Sequence, residues 1–151
     1  MKSLTEVSER RAILARLEAV SPADSARWGR MNAQQMLCHL CDSMRVPLGE
    51  KAVSDAGLGT MSRKLLKFGA LYVPLRWAKN VSTRPEIDQC RLNAQLGHFG
   101  VDRQAAVVLV QRLCGTDLEG KSHPFFGPLT HAEWLRWAWL HADHHLRQFG
   151  R

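Results

Sequence analysis

The sequence predicts an all-α protein, and three observations predict it. Apolar residues recur at spacings of three, four and seven along much of the chain, the period of amphipathic helices. Two capping boxes, Asn32 with Gln35 and Thr130 with Glu133, each precede such a run. The one valine-rich stretch that would serve equally as a buried strand, Ala105 to Val110, has nothing strand-like nearby to pair with.

The elements follow in order. Residues 6–19 carry Val7, Leu14 and Leu17, with Ile13 and Val20 beside them, and Arg10, Arg11, Arg16 and Glu18 between them. That is a surface helix with one buried stripe, ended by Ser21-Pro22. A second helix starts after Asn32, whose side-chain oxygen can cap it, runs through Met36, His39, Leu40 and Met44, and stops near Pro47. A mobile, glycine-bearing connection spans Ala52 to Thr60. Residues 61–73 set Met61, Leu65, Phe68 and Tyr72 on one stripe, with Arg63, Lys64 and Lys67 off it, and Pro74 ends the helix. This stripe is expected to pack on the other helices, although a basic amphipathic helix also suits a membrane surface. Asn80 to Gly100 reads as irregular, with a short helix near Pro85. A helix over 101–114 is followed by the turn-rich His123-Pro124-Phe125-Phe126-Gly127-Pro128, and a last helix runs from about His131 to Phe149.

A chain of 151 residues suits one domain with a real core, taken as 1–151. Its 45% apolar and 23% charged residues are ordinary for a globular protein. No apolar run approaches the roughly 20 residues of a membrane span, so no integral membrane segment is expected. MKSLTEVSERR has no apolar core behind its charge, which argues against a secretory signal and for the cytoplasm. The +7 net charge is uneven: residues 61–100 hold seven Lys/Arg against two acidic groups. Without a nucleic-acid motif or interleaved aromatics, that segment reads as a solvated face with anion attraction as the lesser alternative, and no nucleic-acid partner is expected. Cys38 and Cys41 form a single CxxC, with Cys90 and Cys114 elsewhere. No second CxxC completes a zinc knuckle, so the pair reads as two reduced helix thiols.

The histidines carry the chemistry. His141 and His145 stand four apart, on one helical face. At about 100° per residue, with His141 at zero, Trp134, Leu135, Ala138, Trp139, Ala142, Leu146 and Phe149 occupy about +20° to +160°. His145 falls inside that arc at about +40°, and His144 outside it at about −60°. The inward pair is therefore His141 and His145. On its own helix His39 borders the arc of Met36, Leu37, Leu40 and Met44 in the same way. An imidazole at such a border is costly to desolvate unless it is hydrogen-bonded or ligated. Hydrogen-bonded core histidines and a shared metal ion fit the spacing equally.

Several segments together resemble the DinB-like superfamily: Trp28, Gln34-Gln35-Met36-Leu37-Cys38-His39-Leu40, the run His123 to Thr130, Glu133-Trp134, and His141-Ala-Asp-His144-His145-Leu-Arg-Gln148-Phe149-Gly150. More narrowly, they resemble its uncharacterised branch with an HPFFG-type turn and an HxxHHxxQ ending. The resemblance runs from about Trp28 to Gly150. It implies a four-helix bundle, up-down-down-up, with one long crossover and short extra helices. It further implies a divalent ion held by His39, His141 and His145. Members of known activity include thiol-dependent S-transferases and a mycothiol-dependent maleylpyruvate isomerase, and some members are dimers. The expectation is thus a metal-dependent S-transferase or hydrolase acting on a small molecule, with a low-molecular-weight thiol as a second cofactor. A non-catalytic, stress-associated metal- or ligand-binding bundle is the alternative.

Three imidazoles leave coordination positions open, as catalytic sites do, and suit Zn, Ni, Fe or Cu without selecting among them; Zn or Ni is expected first and Fe next. A metalloprotease is excluded, because HExxH needs Glu where Ala142 stands. Gln35 and Asp42 near His39, Gln148 near His141, and Trp134 on the same side are the candidates for orienting ligands or lining a pocket. Asp143 is expected in solvent, and His98, His123 and His131 read as turn or cap residues.

Overall fold

The computed structural model of the chain describes residues 1–91 and 97–151. Five α-helices carry the described structure: α1 (Val7–Glu18), α2 (Ala33–Arg45), α3 (Thr60–Leu71), α4 (Phe99–Gly115) and α5 (His131–Gln148). The helical class expected from the periodicity is what forms.

Helix α1 buries Ile13 and Leu17, with Val20 just beyond it. Val7, expected on that stripe, is instead 50% exposed. Leu4, from the charged N-terminal lead, takes the core position and donates its backbone N–H to the Leu135 carbonyl at 3.3 Å. Helix α2 starts at a complete capping box. Gln35 N–H donates to Asn32 Oδ1 at 2.8 Å, and Asn32 N–H donates to Gln35 Oε1 at 2.9 Å. Thr130 and Glu133 do the same for α5, at 3.1 and 2.9 Å. Helix α4 buries Ala106, Val107, Leu109, Val110 and Leu113, while Val108 is exposed. The valine-rich stretch is therefore one-sided and helical.

Helix α2 packs along α4, α1 packs on α4 and α5, and α5 closes against α2. Their shared core runs from Leu17 and Met36 through Leu40 and Leu113 to Trp134 and Leu146. Helix α3 departs from expectation. It packs on α5 through Leu71, whose carbonyl accepts from Arg136 Nε at 3.2 Å. Its predicted stripe faces away: Met61, Leu65 and Phe68 are exposed. The period located the stripe, but the neighbouring helices bury their apolar faces on one another and leave it uncovered.

Three connections also differ. The 52–60 segment is pinned rather than loose. Ala56 N–H donates to the Pro124 carbonyl at 3.0 Å, Ser54 N–H donates to Glu86 at 3.0 Å, and Asp55 pairs with Arg63. The helix expected near Pro85 is a single 3₁₀ turn, Pro85–Ile87, set against α2; residues 92–96 of the irregular stretch lie outside the described residues. The 123–128 turn closes a small antiparallel hairpin, β1 (Ser122–His123) with β2 (Gly127–Pro128). Gly127 sits at φ +73° there, where a side chain would be strained.

Candidate metal centre

Helices α2 and α5 bring His39, His141 and His145 together. His141 Nε2 lies 3.1 Å from His39 Nε2 and 3.1 Å from His145 Nε2. One nitrogen from each of the three rings falls within 4.8 Å of the others. The two distances from His141 come near the about 3.3 Å that a tetrahedral ion with bonds of about 2.0–2.1 Å would set between neighbouring nitrogens.

The outer nitrogens explain why the inner ones are available. His39 Nδ1–H donates to the Ile87 carbonyl at 2.9 Å, supplied by the 3₁₀ turn. His145 Nδ1–H donates to Gln148 Oε1 at 2.8 Å. Gln148 is itself oriented, because its Nε2 donates to the Trp28 carbonyl at 2.6 Å, which leaves Oε1 as the acceptor. With each proton fixed on Nδ1, the Nε2 lone pairs of His39 and His145 point inward. The outer edge of His141 instead packs beside Trp137 and Trp77, with ring centroids 4.9 and 6.0 Å away.

Burial pushes the His39 imidazole below its ordinary range. Burial also holds His141 and His145 well below it, and the neighbouring imidazoles push in the same direction. Removing a cation's hydration disfavours the charged ring. All three are thus neutral at pH 7, which is the form that ligates.

The cluster sits at a cavity of about 780 Å³, open on one side. Trp77, Trp137 and Phe125 contribute apolar wall, and Arg30 and Arg76 are exposed at its margin. Three buried polar atoms of residues bordering it have no partner among the described residues: Ser43 Oγ, one turn beyond His39, Arg84 Nε and His144 Nδ1. Such orphans are rare in protein interiors unless a ligand or water meets them.

The helical phase separates the two candidates on α5 as expected: His145 is 8% exposed and joins the cluster. His144 does not join it, but borders the cavity between the Trp28 and Trp77 rings, at 5.8 and 6.2 Å. Of the supporting residues, Gln148 meets His145 directly rather than the expected His141, and Trp134 borders the cavity, its Nε1 donating to the Lys121 carbonyl at 3.1 Å. Gln35 is engaged in the α2 cap. Asp42 turns towards Gln89, Lys51 and Arg45, at 2.8, 3.2 and 3.2 Å. Asp143, expected in solvent, pairs with Arg16 and Arg147 at 2.8 Å each.

Asp42 shares a second, smaller cavity with Cys38 and Cys41. Both thiols are free and are pushed up to about 12, chiefly by burial, so they stay protonated and unreactive at neutral pH.

His123 is more than the turn residue the sequence suggested. It is buried, stacks on Phe126 at 4.3 Å, and lies 5.3 and 5.1 Å from Trp134 and Trp137. Its Nδ1 accepts from Phe125 N–H at 3.2 Å, so the ring proton sits on Nε2. Burial lowers its pKa to about 3. Its place among Phe125, Phe126, Trp134 and Trp137 was the available signal, since a histidine in an aromatic cluster is desolvated. Nothing in the spacing marks Trp77 or the Ile87 carbonyl.

Among known proteins, a family model described as "Protein of unknown function (DUF1569)" matches residues 93–151. The match includes His123, His141, His145 and Gln148, stops short of His39, and covers less than half of the chain. Comparison with curated proteins and with solved structures gave no match.

Proposed function

We propose that the protein is a divalent-metal-dependent enzyme in which His39, His141 and His145 hold the ion and the adjoining cavity takes a small-molecule substrate. The observation that carries this reading is the convergence of three neutral imidazole nitrogens at the wall of an open cavity. Structural sites close their coordination shell, whereas three protein ligands leave a position for chemistry. The likeness of the HPFFGPLT, EW and HADHHLRQFG segments to DinB-like proteins supports the same reading. In its terms α1, α2, α4 and α5 are the up-down-down-up bundle, and the reaction is thiol S-transfer or hydrolysis.

An ion held there, Zn or Ni by ligand type and Fe next, would lower the pKa of a coordinated water or thiol towards neutrality. The chain's own residues do the rest. Ile87 and Gln148 hold the His39 and His145 rings in the ligating tautomer. Trp77, Trp137 and Phe125 line the cavity and keep solvent from the reacting atoms. Ser43 Oγ, Arg84 Nε and His144 Nδ1 are unpartnered polar atoms that a substrate would meet. Arg30 and Arg76 favour an anionic group at the rim.

Protein purified without a nickel column should carry close to one equivalent of a divalent metal by elemental analysis. His141→Ala should lose it while keeping its helical circular dichroism. Unchanged metal content in that variant removes the assignment. Metal-loaded protein screened against electrophiles with glutathione, mycothiol and bacillithiol in parallel then tests the reaction class. A chelator that lowers the melting temperature of a protein with no turnover in any arm would favour the non-catalytic bundle.

A further inference from the structure

The exposed apolar side chains of the molecule gather on one face. Met61, Leu65, Phe68, Leu75 and Val81 are between 61% and 73% exposed, with Leu66 and Tyr72 beside them. The remaining large apolar residues exposed among those described are scattered: Met1, Val7, Val101 and Val108. Leu65, Leu66, Leu75 and Val81 border one cavity and Phe68 stacks on Tyr72 at 6.0 Å, and exposed apolar side chains gathered in this way mark a contact surface. It is also rich in basic residues. Residues 56–85 contain six Lys/Arg and no Asp or Glu. Arg63 and Lys67 turn back to Asp55 and Glu133. Lys64, Arg76 and Lys79 make no ion pair among the described residues.

The charge selects the occupant. A second copy related by a two-fold axis would press the unpaired Lys64, Arg76 and Lys79 towards their own copies, and like charges across an interface are repelled. An anionic bilayer meets both properties of the face, because it accepts apolar side chains below the headgroups and attracts lysine and arginine at their level. The position of the cavity agrees: Leu65, Leu66, Leu75 and Val81 belong both to this face and to the cavity margin.

We propose that α3 and the following segment to Val81 seat the protein on an anionic lipid surface, with the mouth of the cavity turned to the headgroups. This stands independently of the metal assignment.

Sedimentation with phosphatidylcholine vesicles, with and without phosphatidylglycerol, tests it. Wild-type protein should pellet with the phosphatidylglycerol vesicles at low salt, release as salt rises, and stay in the supernatant with phosphatidylcholine alone. Met61→Glu/Phe68→Glu should weaken binding by about tenfold or more, and Lys64→Gln/Arg76→Gln should weaken it while reducing its salt dependence. All four side chains are exposed, and an unchanged melting temperature checks folding. Failure of wild-type protein to pellet with either vesicle overturns the proposal, as does equal binding to both. Sedimentation velocity supplies the remaining arm: a dimer made monomeric by Met61→Glu/Phe68→Glu, without vesicle binding, would assign the face to a second copy instead.

Discussion

Gln148 fixes one imidazole of the cluster from both ends of its amide, giving a hydrogen bond to Trp28 and accepting one from His145. Gln148→Leu keeps the shape and removes both bonds. Zinc affinity by titration calorimetry should fall roughly 10- to 100-fold, the usual effect of losing a partner behind a ligand; a value within twofold of wild type would show that His145 needs no such support. Gly29 bears on the same contact. It sits at φ +82°, and a Cβ there would lie 2.6 Å from Gln148 Nε2, so Gly29→Ala should weaken zinc binding in the same direction. His123 makes a prediction of its own. Burial lowers its pKa to about 3, whereas an unfolded histidine titrates near 6.5. Above that value both states are neutral and no stability depends on pH. Below it the unfolded state takes up a proton that the folded state refuses, so stability is lost as pH falls towards about 3. His123→Phe cannot take up that proton. Urea unfolding should show the variant gaining on wild type by about 1.4 kcal/mol per pH unit between about pH 6 and 4. A constant difference across that range would mean that His123 titrates normally.

Helix α5 carries two histidines of the cluster, the glutamine behind one of them and three buried tryptophans, and its start rests on the Thr130–Glu133 box. Thr130→Ala should cost about 1 kcal/mol of unfolding free energy, with zinc affinity unchanged because the ligands lie three to four turns on. A fall in both would mean that the cap positions the ligands. This box was legible in the sequence because a cap is local chemistry: residue types three apart decide it. The choice of His145 over His144 was legible for a related reason, since both share one rigid helix whose apolar arc points inward. The site fades from view where backbone from irregular segments builds it. The Ile87 carbonyl and Trp77 reach the cluster through a chain path that no periodicity records. Helix α3 shows the other limit. Period identifies the residues that share a face, but the burial of that face depends on whether its neighbours have apolar surface left to meet it. Leu4 shows the converse, taking a core position from within a charged lead because α5 offers its backbone an acceptor at Leu135.

At the scale of the molecule, the cluster joins segments distant in sequence. His39 comes from α2, His141 and His145 from α5, and their partners from the Trp28 loop and the 3₁₀ turn at Ile87. The unfolded chain has no such site, so an ion bound there adds its binding free energy to folding. At a free zinc concentration of about 1,000 times Kd the gain is about 4 kcal/mol. For a chain of this size each kcal/mol moves the midpoint by about 2–4 °C. Saturating zinc should therefore raise Tm by roughly 8–16 °C, and a chelator should reverse the rise. His39→Ala and His141→Ala should each abolish the shift while leaving a folded, cooperative transition. The same scan separates this cluster from the second cavity, lined by Cys38 and Cys41. Cys38→Ser/Cys41→Ser should keep the full zinc shift. If the shift follows the cysteines and survives in His141→Ala, the ion binds at the second cavity and the three imidazoles are core histidines.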